Sequence, residues 1–343
     1  MGDENVYSAF PQDEDRDIEP VLRPSTFDDF VGRDATVQNL KTWIEGARLR
    51  KECLDHILFS GPPGLGKTTL AYIIANEMGV SMRATCGPAL SKPRDLVGLL
   101  TGLQRGDVLF IDEIHRLDVR VEEYLYTAME DFFISIIIDP GPHSRSIRMD
   151  LRPFTLVGAT TREGLLTPPL RSRFQILERL DFYSTAELRQ IVHNSAQRLS
   201  IGIERPAEEL IASRSRGTPR VANRFLRRVR DVAQASGSRT ITPALAEEGL
   251  RRLGVDEVGL TELDRQILRV LAQAGGRPVG LKTIAAVVSE QEDTIQDVYE
   301  PFLVREGLLE RTARGRAITG RGLEAIKVYG DDAAPPKRQA GLF

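Results

Sequence analysis

The chain is 343 residues long, 41% hydrophobic and 28% charged, with a net charge of −3. This length suits about two or three packed domains. No apolar run approaches the roughly 18 residues that cross a bilayer, we expect no secretory signal sequence, and Cys53 and Cys86 alone build neither a disulfide framework nor a zinc site. Membrane, secreted and disulfide-stapled classes are therefore excluded, and we expect the protein in the cytoplasm.

The charge is distributed unevenly along the chain. Residues 1–20 hold seven acids and one arginine, a net charge of −6, and we expect them to form an acidic, flexible leader. Residues 214–239 hold eight arginines and one acid, a net charge of +7. Such a basic segment is either a solvated helix face or a functional surface, and the charge alone does not decide between them.

Residues 21–183 predict an α/β domain with a parallel sheet flanked by helices. Strands buried on both faces are nearly continuously apolar, and three runs fit that pattern: 56–60, 107–111 and 154–159. The segments 134–138 and 146–149 flank Asp139-Pro-Gly-Pro142 and predict a hairpin inserted at 133–149.

Residues 184–254 predict a small helical domain. Ser184-Thr-Ala-Glu187 is a capping-box pattern that begins a helix. Gly217-Thr-Pro-Arg220 interrupts the helical spacing, and a long arginine-rich helix follows at 220–236. Residues 254–259 are a plausible linker to the last domain.

Residues 255–330 predict a winged-helix domain, in which three short helices are closed by a small hairpin. The predicted helices are 261–274, 281–288 and 291–305, and the predicted strands are 307–311 and 316–319. Residues 331–343 contain proline and alanine, and we expect a disordered tail.

The strongest chemical signal is Gly61-Pro-Pro-Gly-Leu-Gly66-Lys67-Thr68-Thr69, which follows an apolar strand and opens a helix. It matches the P-loop pattern, in which the glycines (here Gly61, Gly64 and Gly66) let backbone N–H groups wrap phosphate oxygens at a helix N-terminus. A lysine in this place reaches the β- and γ-phosphates, and the next hydroxyl ligates Mg²⁺. Lys67 and Thr68 therefore predict a site for a nucleoside triphosphate and Mg²⁺.

Two acids follow the second predicted strand, and two threonines follow the third. Asp112 is expected to hold Mg²⁺ through its waters, and Glu113 to orient or deprotonate the attacking water. Thr160 or Thr161 is placed to hydrogen-bond that water. His115 lies near the acid pair, but a packing or surface role is favoured for it. Cys86 is expected in a loop, without a histidine partner that would make it a nucleophile.

Two interpretations remain open for Arg171 and Arg173. A guanidinium group suits a developing phosphoryl charge because its planar fork donates two hydrogen bonds. From spacing alone, surface ion pairs are equally compatible with these residues.

Long motifs in register make the chain resemble AAA+ ATPases and, more closely, the RuvB family, bacterial motors that drive branch migration of four-way (Holliday) DNA junctions. The resemblance runs from about residue 18 to about 328. It is carried by the P-loop and by four further segments: Leu109-Phe-Ile-Asp-Glu-Ile-His-Arg116, Gly158-Ala-Thr-Thr-Arg162, Pro169-Leu-Arg-Ser-Arg-Phe174 and Gly217-Thr-Pro-Arg-Val-Ala-Asn-Arg224.

The resemblance implies roles that spacing does not give. Thr160 matches the first sensor, Arg220 the second sensor, and Arg173 a finger that reaches the ATP of a neighbouring subunit. Further positions match nucleotide contacts: Leu22, Arg23 and Tyr183 at the adenine, Thr69 in the P-loop, and Glu130, Asp131 and Phe132 elsewhere.

The resemblance also implies partners. Family members form hexameric rings around duplex DNA, the hairpin 133–149 matches the element that docks on RuvA, with an apolar tip at 136–138, and the RuvC resolvase is a further expected partner. Arg311 and Arg316 flank the wing hairpin and match positions that contact phosphates without reading bases.

Two positions depart from the family pattern. Glu292 stands where an arginine is expected, which puts a DNA contact from that helix in doubt, and Gln175 replaces a glycine after Arg173-Phe174.

Other functions remain open at this point. A clamp loader or replication initiator shares the ATPase core, and a nucleotide-gated transcription regulator is compatible with a winged helix. The helix at 291–305 offers poor base readout, with one arginine, Arg305. A protein unfoldase is a further alternative, although the sequence has nothing that resembles a substrate-gripping pore loop.

Overall fold

The computed structural model describes residues 21–137 and 146–327. The predicted leader (1–20), the turn of the inserted hairpin and the predicted tail (331–343) lie outside the described residues. Among the helices that are described, none is long and apolar enough to cross a membrane.

The first domain is built on a five-stranded parallel sheet with the strand order β2-β3-β6-β1-β7. The strands are β1 (Ile57–Ser60), β2 (Met82–Cys86), β3 (Val108–Asp112), β6 (Thr155–Thr160) and β7 (Ile176–Arg179). The three predicted strands are confirmed as β1, β3 and β6, the inner strands of the sheet. β2 and β7 form the edges and carry charged or polar residues, so neither has the continuous apolar run that marks a strand buried on both faces. The expectation that Cys86 lies in a loop is wrong, because this residue ends β2.

Helices cover both faces of the sheet. They are α1 (Asp34–Arg50), α2 (Lys67–Met78), α3 (Pro93–Thr101), α4 (Val119–Glu130) and the short α5 (Pro168–Arg171). Successive strand residues point to opposite faces, so Phe59 packs in the core with α1 and α2, whereas Leu58 packs in the core with α3 and α4. This double burial explains why the inner strands read as uninterrupted apolar runs.

The predicted hairpin is confirmed where the structure describes it. β4 (Phe133–Ile137) and β5 (Ser146–Asp150) pair antiparallel, with Ile134 opposite Met149. Ile134 is buried against the sheet domain, whereas Ile147 is exposed. The tip at position 138 lies outside the described residues.

Four helices and a two-residue parallel pairing form the second, lid-like unit. They are α6 (Thr185–Arg198), α7 (Arg205–Arg214), α8 (Pro219–Ala235) and α9 (Pro243–Arg252), with β8 (Gly202–Ile203) and β9 (Thr240–Ile241). The predicted capping box is present: the Ser184 hydroxyl accepts from the Glu187 backbone N–H at 3.3 Å, and the Ser184 N–H donates to the Glu187 carboxylate at 2.7 Å.

The last unit is a winged helix. Its elements are α10 (Glu262–Gln273), α11 (Leu281–Val288), α12 (Glu292–Thr294), α13 (Glu300–Arg305), β10 (Leu309–Thr312), β11 (Gly315–Ile318) and α14 (Gly320–Lys327). The helix predicted at 291–305 is interrupted by a π-helical turn, Ile295–Tyr299. Pro301 has no N–H to donate to the Asp297 carbonyl four residues earlier, which favours such a widened turn.

A buried ion pair joins the lid to the winged helix. The Arg216 and Asp264 side chains are 4% and 0% exposed and bond through both guanidinium Nη atoms. Arg216 also donates to the Gly259 carbonyl at 2.7 and 2.9 Å and lies over the Phe302 ring. Because both side chains of this pair are buried, the pair fixes how the two units are oriented.

Removing the carboxylate of this pair is expected to destabilise the protein strongly. Asp264→Ala leaves a buried guanidinium without its counter-charge, which costs about 3–5 kcal/mol of unfolding free energy. Urea titration followed by circular dichroism measures the change. Glu248→Ala removes the partner of the exposed Arg251 and Arg252 and is the matched control, for which we expect an unchanged midpoint. Equal midpoints for both variants would contradict this account of the joint.

Candidate nucleotide-binding site

The sheet topology brings the predicted chemical residues to one edge. Parallel strands direct their carboxyl ends to the same side, and β1 lies next to β6, which lies next to β3. The P-loop follows Ser60, the acid pair begins with Asp112 at the end of β3, and Thr160 ends β6. These residues are therefore neighbours in space although up to about a hundred residues separate them in the sequence.

Three glycines with positive φ, Gly61, Gly64 and Gly66, give the P-loop its shape. Gly61 has φ +135°, and a Cβ there would lie 2.1 Å from the Leu180 carbonyl oxygen, so a side chain does not fit. Gly66 has φ +97° and directly precedes α2. The Lys67 ammonium donates to the carbonyls of Gly61 (2.7 Å) and Pro62 (2.9 Å), so the lysine is folded over the loop.

Lys67 is a buried cation. Burial lowers its pKa to about 8, while the negative charges of Asp112 and Glu113 act in the opposite direction. A bound phosphate supplies further negative charge and favours the charged ammonium. The pKa of Lys67 is thus lowered into a range in which pH changes the charge of this lysine and, with it, nucleotide binding.

The acid pair is linked to the end of β6 through His115. The His115 ring reaches the Thr160 hydroxyl through Nδ1 at 2.9 Å and the Glu113 carboxylate through Nε2 at 3.4 Å. Thr161 Oγ1 lies 3.5 Å from the same Glu113 carboxylate. Burial, followed by the charge of Asp112, raises the pKa of Glu113, as suits a group that takes up a proton. The favoured packing or surface role of His115 is therefore incomplete, because its side chain bridges two candidate site residues.

A cleft of about 640 Å³ opens in front of these residues, and all three structural units line it. From the first unit come residues considered above, which include Leu22, Arg23, Gly64, Gly66, Lys67, Thr68, Thr69, Asp112, Glu113, His115, Thr161 and Tyr183. The lid contributes Arg220, and the winged helix contributes Asp293, Asp297 and neighbouring residues. Its volume falls in the range of sites that enclose a small ligand.

Several predicted residues lie outside this cleft. Thr160 is fully buried behind it, whereas Thr161 forms its wall. Within one chain, Glu130, Asp131 and Phe132 do not line the cleft, and Phe132 packs against Phe154 with ring centroids 5.9 Å apart.

Arg173 also lies outside the cleft of its own chain. Its guanidinium donates to the Glu130 carboxylate at 3.0 Å and to the Pro169 carbonyl at 2.7 Å, and it lies over the Tyr126 ring. Arg171 pairs with Glu163 at 2.7 Å. Both arginines thus form ion pairs, which is one of the two roles that the sequence left open. Arg173 also lies beside Glu130, which is itself a predicted nucleotide contact.

Gln175 has a definite place in the structure. Its side-chain oxygen accepts from the backbone N–H of His56 at 3.2 Å, where the chain enters β1. The residue therefore ties the segment after Arg173 to the central sheet. Glu292, the other departure, begins the exposed end of α12, next to residues that line the nucleotide cleft.

The two wing arginines converge on a buried carboxylate. The Glu300 side chain is 1% exposed and accepts from Arg311 Nε at 2.6 Å and from Arg316 at 3.1 Å. Arg311 is 55% exposed and Arg316 only 19%. Glu300 had no sequence signal of its own, because a glutamate inside a helix is ordinarily solvated.

The donor set of the cleft fits a hard cation bound together with phosphates. Among residues 21–137 and 146–327, no three His, Cys, Asp or Glu side chains form a cluster that holds a metal alone. One hydroxyl (Thr68) and one carboxylate (Asp112) match the way Mg²⁺ binds through few protein ligands, phosphate oxygens and waters.

The fold and the cleft define an AAA+ P-loop ATPase with a helical lid and a C-terminal winged helix. Three family models match consecutive parts of the chain: the Holliday junction DNA helicase RuvB P-loop domain (22–180), the RuvB AAA lid domain (183–256) and the RuvB C-terminal winged-helix domain (257–327). The chain belongs to the RuvB family.

Individual relatives agree with this assignment. The chain is 56% identical over 331 residues to the Holliday junction branch migration complex subunit RuvB of Myxococcus xanthus (strain DK1622), covering 96% of this chain and 95% of that protein. Among solved structures, the Thermotoga maritima RuvB Holliday junction branch migration motor is 46% identical with a TM-score of 0.82, covering 90% of this chain and 98% of that one. A point mutant of that protein gives a TM-score of 0.83 at 46% identity, over 89% and 98% of the two chains.

Nucleotide affinity is expected to fall at alkaline pH. Above pH about 8, Lys67 of the nucleotide-free protein loses its proton, and binding must restore it because phosphate favours the ammonium form. The dissociation constant of ATP should then rise by up to about tenfold per pH unit. A titration with a fluorescent ATP analogue between pH 7 and 10 measures this.

Lys67→Arg is the control, since its charge persists across that range. Its affinity should stay constant with pH. A parallel decline in both proteins would assign the pH effect to another group.

Proposed function

We propose that the protein is an ATP-driven DNA motor that catalyses branch migration of Holliday junctions in recombination and repair, as a hexameric ring on duplex DNA working with RuvA and RuvC. The observation that carries the proposal is the cleft lined by the ATPase domain, the lid and the winged helix together. A nucleotide in that cleft contacts or adjoins the domain that binds DNA. A motor that acts on chromosomal DNA would work in the cytoplasm.

Within one subunit, the residues around the phosphates divide the work of hydrolysis. Lys67 and the P-loop N–H groups hold the β- and γ-phosphates, and Arg220 approaches from the lid. Thr68 and Asp112 would hold Mg²⁺, which neutralises phosphate charge when bound. Glu113, with its raised pKa, orients and deprotonates the attacking water, and Thr161 lies beside it. Thr160 acts through His115 rather than by direct contact.

Arg173 would complete the site of a neighbouring subunit. In its own chain it lies outside the cleft and on Glu130, so it reaches no nucleotide there. The predicted contacts Glu130, Asp131 and Phe132 lie in the same region, which supports a shared surface directed at the next subunit of a ring.

The wing would grip the phosphate backbone. Glu300 orients both wing arginines from a buried position, and the more exposed Arg311 presents its guanidinium to solvent. Contacts of this kind bind any sequence, as a translocating motor requires. The alternative of a transcription regulator is less favoured, because α12 and the turn after it line the nucleotide cleft with the acidic Asp293 and Asp297, which do not suit contact with DNA.

The hairpin β4–β5 would dock on RuvA. Ile147 on β5 is 51% exposed, and the Arg148 guanidinium lies over the Phe133 ring, 3.8 Å from its centroid. An exposed apolar residue on a projecting hairpin suits a protein partner.

Dissociation of a synthetic four-way junction tests the proposal. We expect ATP-dependent dissociation that RuvA strongly stimulates, with a linear duplex as the substrate control. Lys67→Ala, which removes the phosphate-binding ammonium, should abolish the reaction. ATP hydrolysis without junction dissociation, with or without RuvA, would refute branch migration and leave only the ATPase.

The assignment of Arg173 is tested by mixing variants. Arg173→Ala should bind ATP but lose about 10³–10⁵-fold in turnover, the usual contribution of an arginine finger. Glu113→Gln should also be inactive, because it lacks the base. A mixture of the two should regain ATPase activity, since one variant supplies the arginine and the other the intact acid pair.

Arg120→Ala is the control for this experiment. Arg120 is exposed, pairs only with Asp118 among the described contacts, and should leave turnover unchanged. No recovery in the mixture, in complexes of normal size, would contradict the assignment of Arg173 to the site of a neighbouring subunit.

A further inference from the structure

An ion pair joins the winged helix to the catalytic edge of the sheet. Arg162, which follows β6, donates through Nε and Nη2 to the two carboxylate oxygens of Asp297 at 3.1 and 2.9 Å. Nη2 also donates to Asp293 at 2.7 Å. Arg162 and Asp297 are each 24% exposed, so this bidentate pair is partly shielded from water and stronger than a solvated one.

The ion pair is connected to the candidate catalytic residues. The Arg162 backbone N–H donates to the Thr160 hydroxyl at 3.0 Å, and that hydroxyl also meets His115. His115 in turn reaches Glu113. A displacement of Arg162 would therefore reach Glu113, the residue that would activate water, through Thr160 and His115.

Two aspartates of the winged helix add negative charge to the cleft near the acid pair. Asp293 and Asp297 line the same cleft as Asp112 and Glu113, together with cations that include Lys67, Arg116, Arg162 and Arg220. The negative charge of Asp297 also contributes to the raised pKa of Glu113, so it acts across the cleft. A γ-phosphate that arrives here is repelled by both aspartates and attracted by the arginine that neutralises them.

We propose that Arg162 is an electrostatic latch: it holds the winged helix at the phosphate end of the cleft through Asp293 and Asp297, and the γ-phosphate of ATP competes for it and releases the winged helix. The buried Arg216–Asp264 pair makes the winged helix and the lid move together after release. The coupling of this movement to DNA rests on the proposed function, whereas the latch itself requires only ATP binding.

Two variants break the latch from opposite sides and have opposite effects on affinity. Asp293→Asn/Asp297→Asn removes the negative charge that repels the phosphate, so ATPγS should bind at least about fivefold tighter, and ADP should change less. Arg162→Gln leaves the aspartates unneutralised and should weaken ATPγS binding. Coupling between two sites is reciprocal: if ATP binding weakens the Arg162 ion pair by some factor, the intact ion pair weakens ATP binding by the same factor. A purely structural contact would shift both variants in the same direction.

A distance measurement tests the release itself. Spin labels on Leu49→Cys and Val287→Cys, at exposed positions of α1 and α11, in a background without Cys53 and Cys86, report the separation of the two units. In the parent protein, ATPγS with Mg²⁺ should change the distance distribution and ADP should not. Both latch variants should show the changed distribution without nucleotide.

Arg251→Ala is the matched control. Arg251 is exposed and pairs with Glu248 inside the lid, so its side chain crosses neither joint in the described contacts. The variant should leave both the ATPγS affinity and its effect on distance as in the parent. The proposal is overturned if the latch variants keep the parent distribution, or if their affinities shift together. Junction dissociation by the parent protein is scored separately, so failure of the latch and failure of branch migration are distinguishable.

Discussion

Negative charge has to be held at one edge of the central sheet, and the rest of the structure depends on how this is done. The edge already carries Asp112 and Glu113, and the ligand that suits it is a polyanion. The P-loop supplies positive charge in two ways. Its backbone N–H groups direct the positive ends of their dipoles at the ligand, and it carries one buried lysine, Lys67. Because Lys67 is buried next to acids, its protonation depends on the charges around it. The nucleotide, a proton and the metal ion therefore affect one another's binding at this site.

The same constraint explains why a second and a third unit meet at this edge. The lid brings Arg220, a further cation, whereas the winged helix brings two carboxylates that are balanced by Arg162. The ion pair between the lid and the winged helix is buried, whereas the ion pair between the winged helix and the ATPase domain, Arg162–Asp297, is partly exposed. The winged helix also meets the ATPase domain where Arg305 lies over the Phe182 ring. The difference in burial gives one firm joint and one that a competing anion can weaken.

The surface that bears Arg173 contributes no charge to the cleft of its own chain. Its guanidinium is occupied by Glu130 and Tyr126, and the predicted contacts of that segment lie together outside the cleft. If Arg173 acts as the proposed finger, its place outside the cleft of its own chain means that turnover depends on a neighbouring subunit. The proposed ring, in which each subunit supplies its neighbour's arginine, would meet that requirement.

The sequence by itself determined the inner strands, the P-loop, the acid pair and the winged helix, because each is a local pattern: a continuous apolar run, a glycine spacing, or a capping box. It did not reveal the edge strands β2 and β7, whose mixed polarity resembles that of loops. The bridging role of His115, the convergence of Arg311 and Arg316 on Glu300, and the pairing of Arg162 with Asp297 were decided by tertiary structure alone. The physical reason is that charges recognise one another through space, and the chain brings residues such as Arg162 and Asp297 together only after its three units have packed.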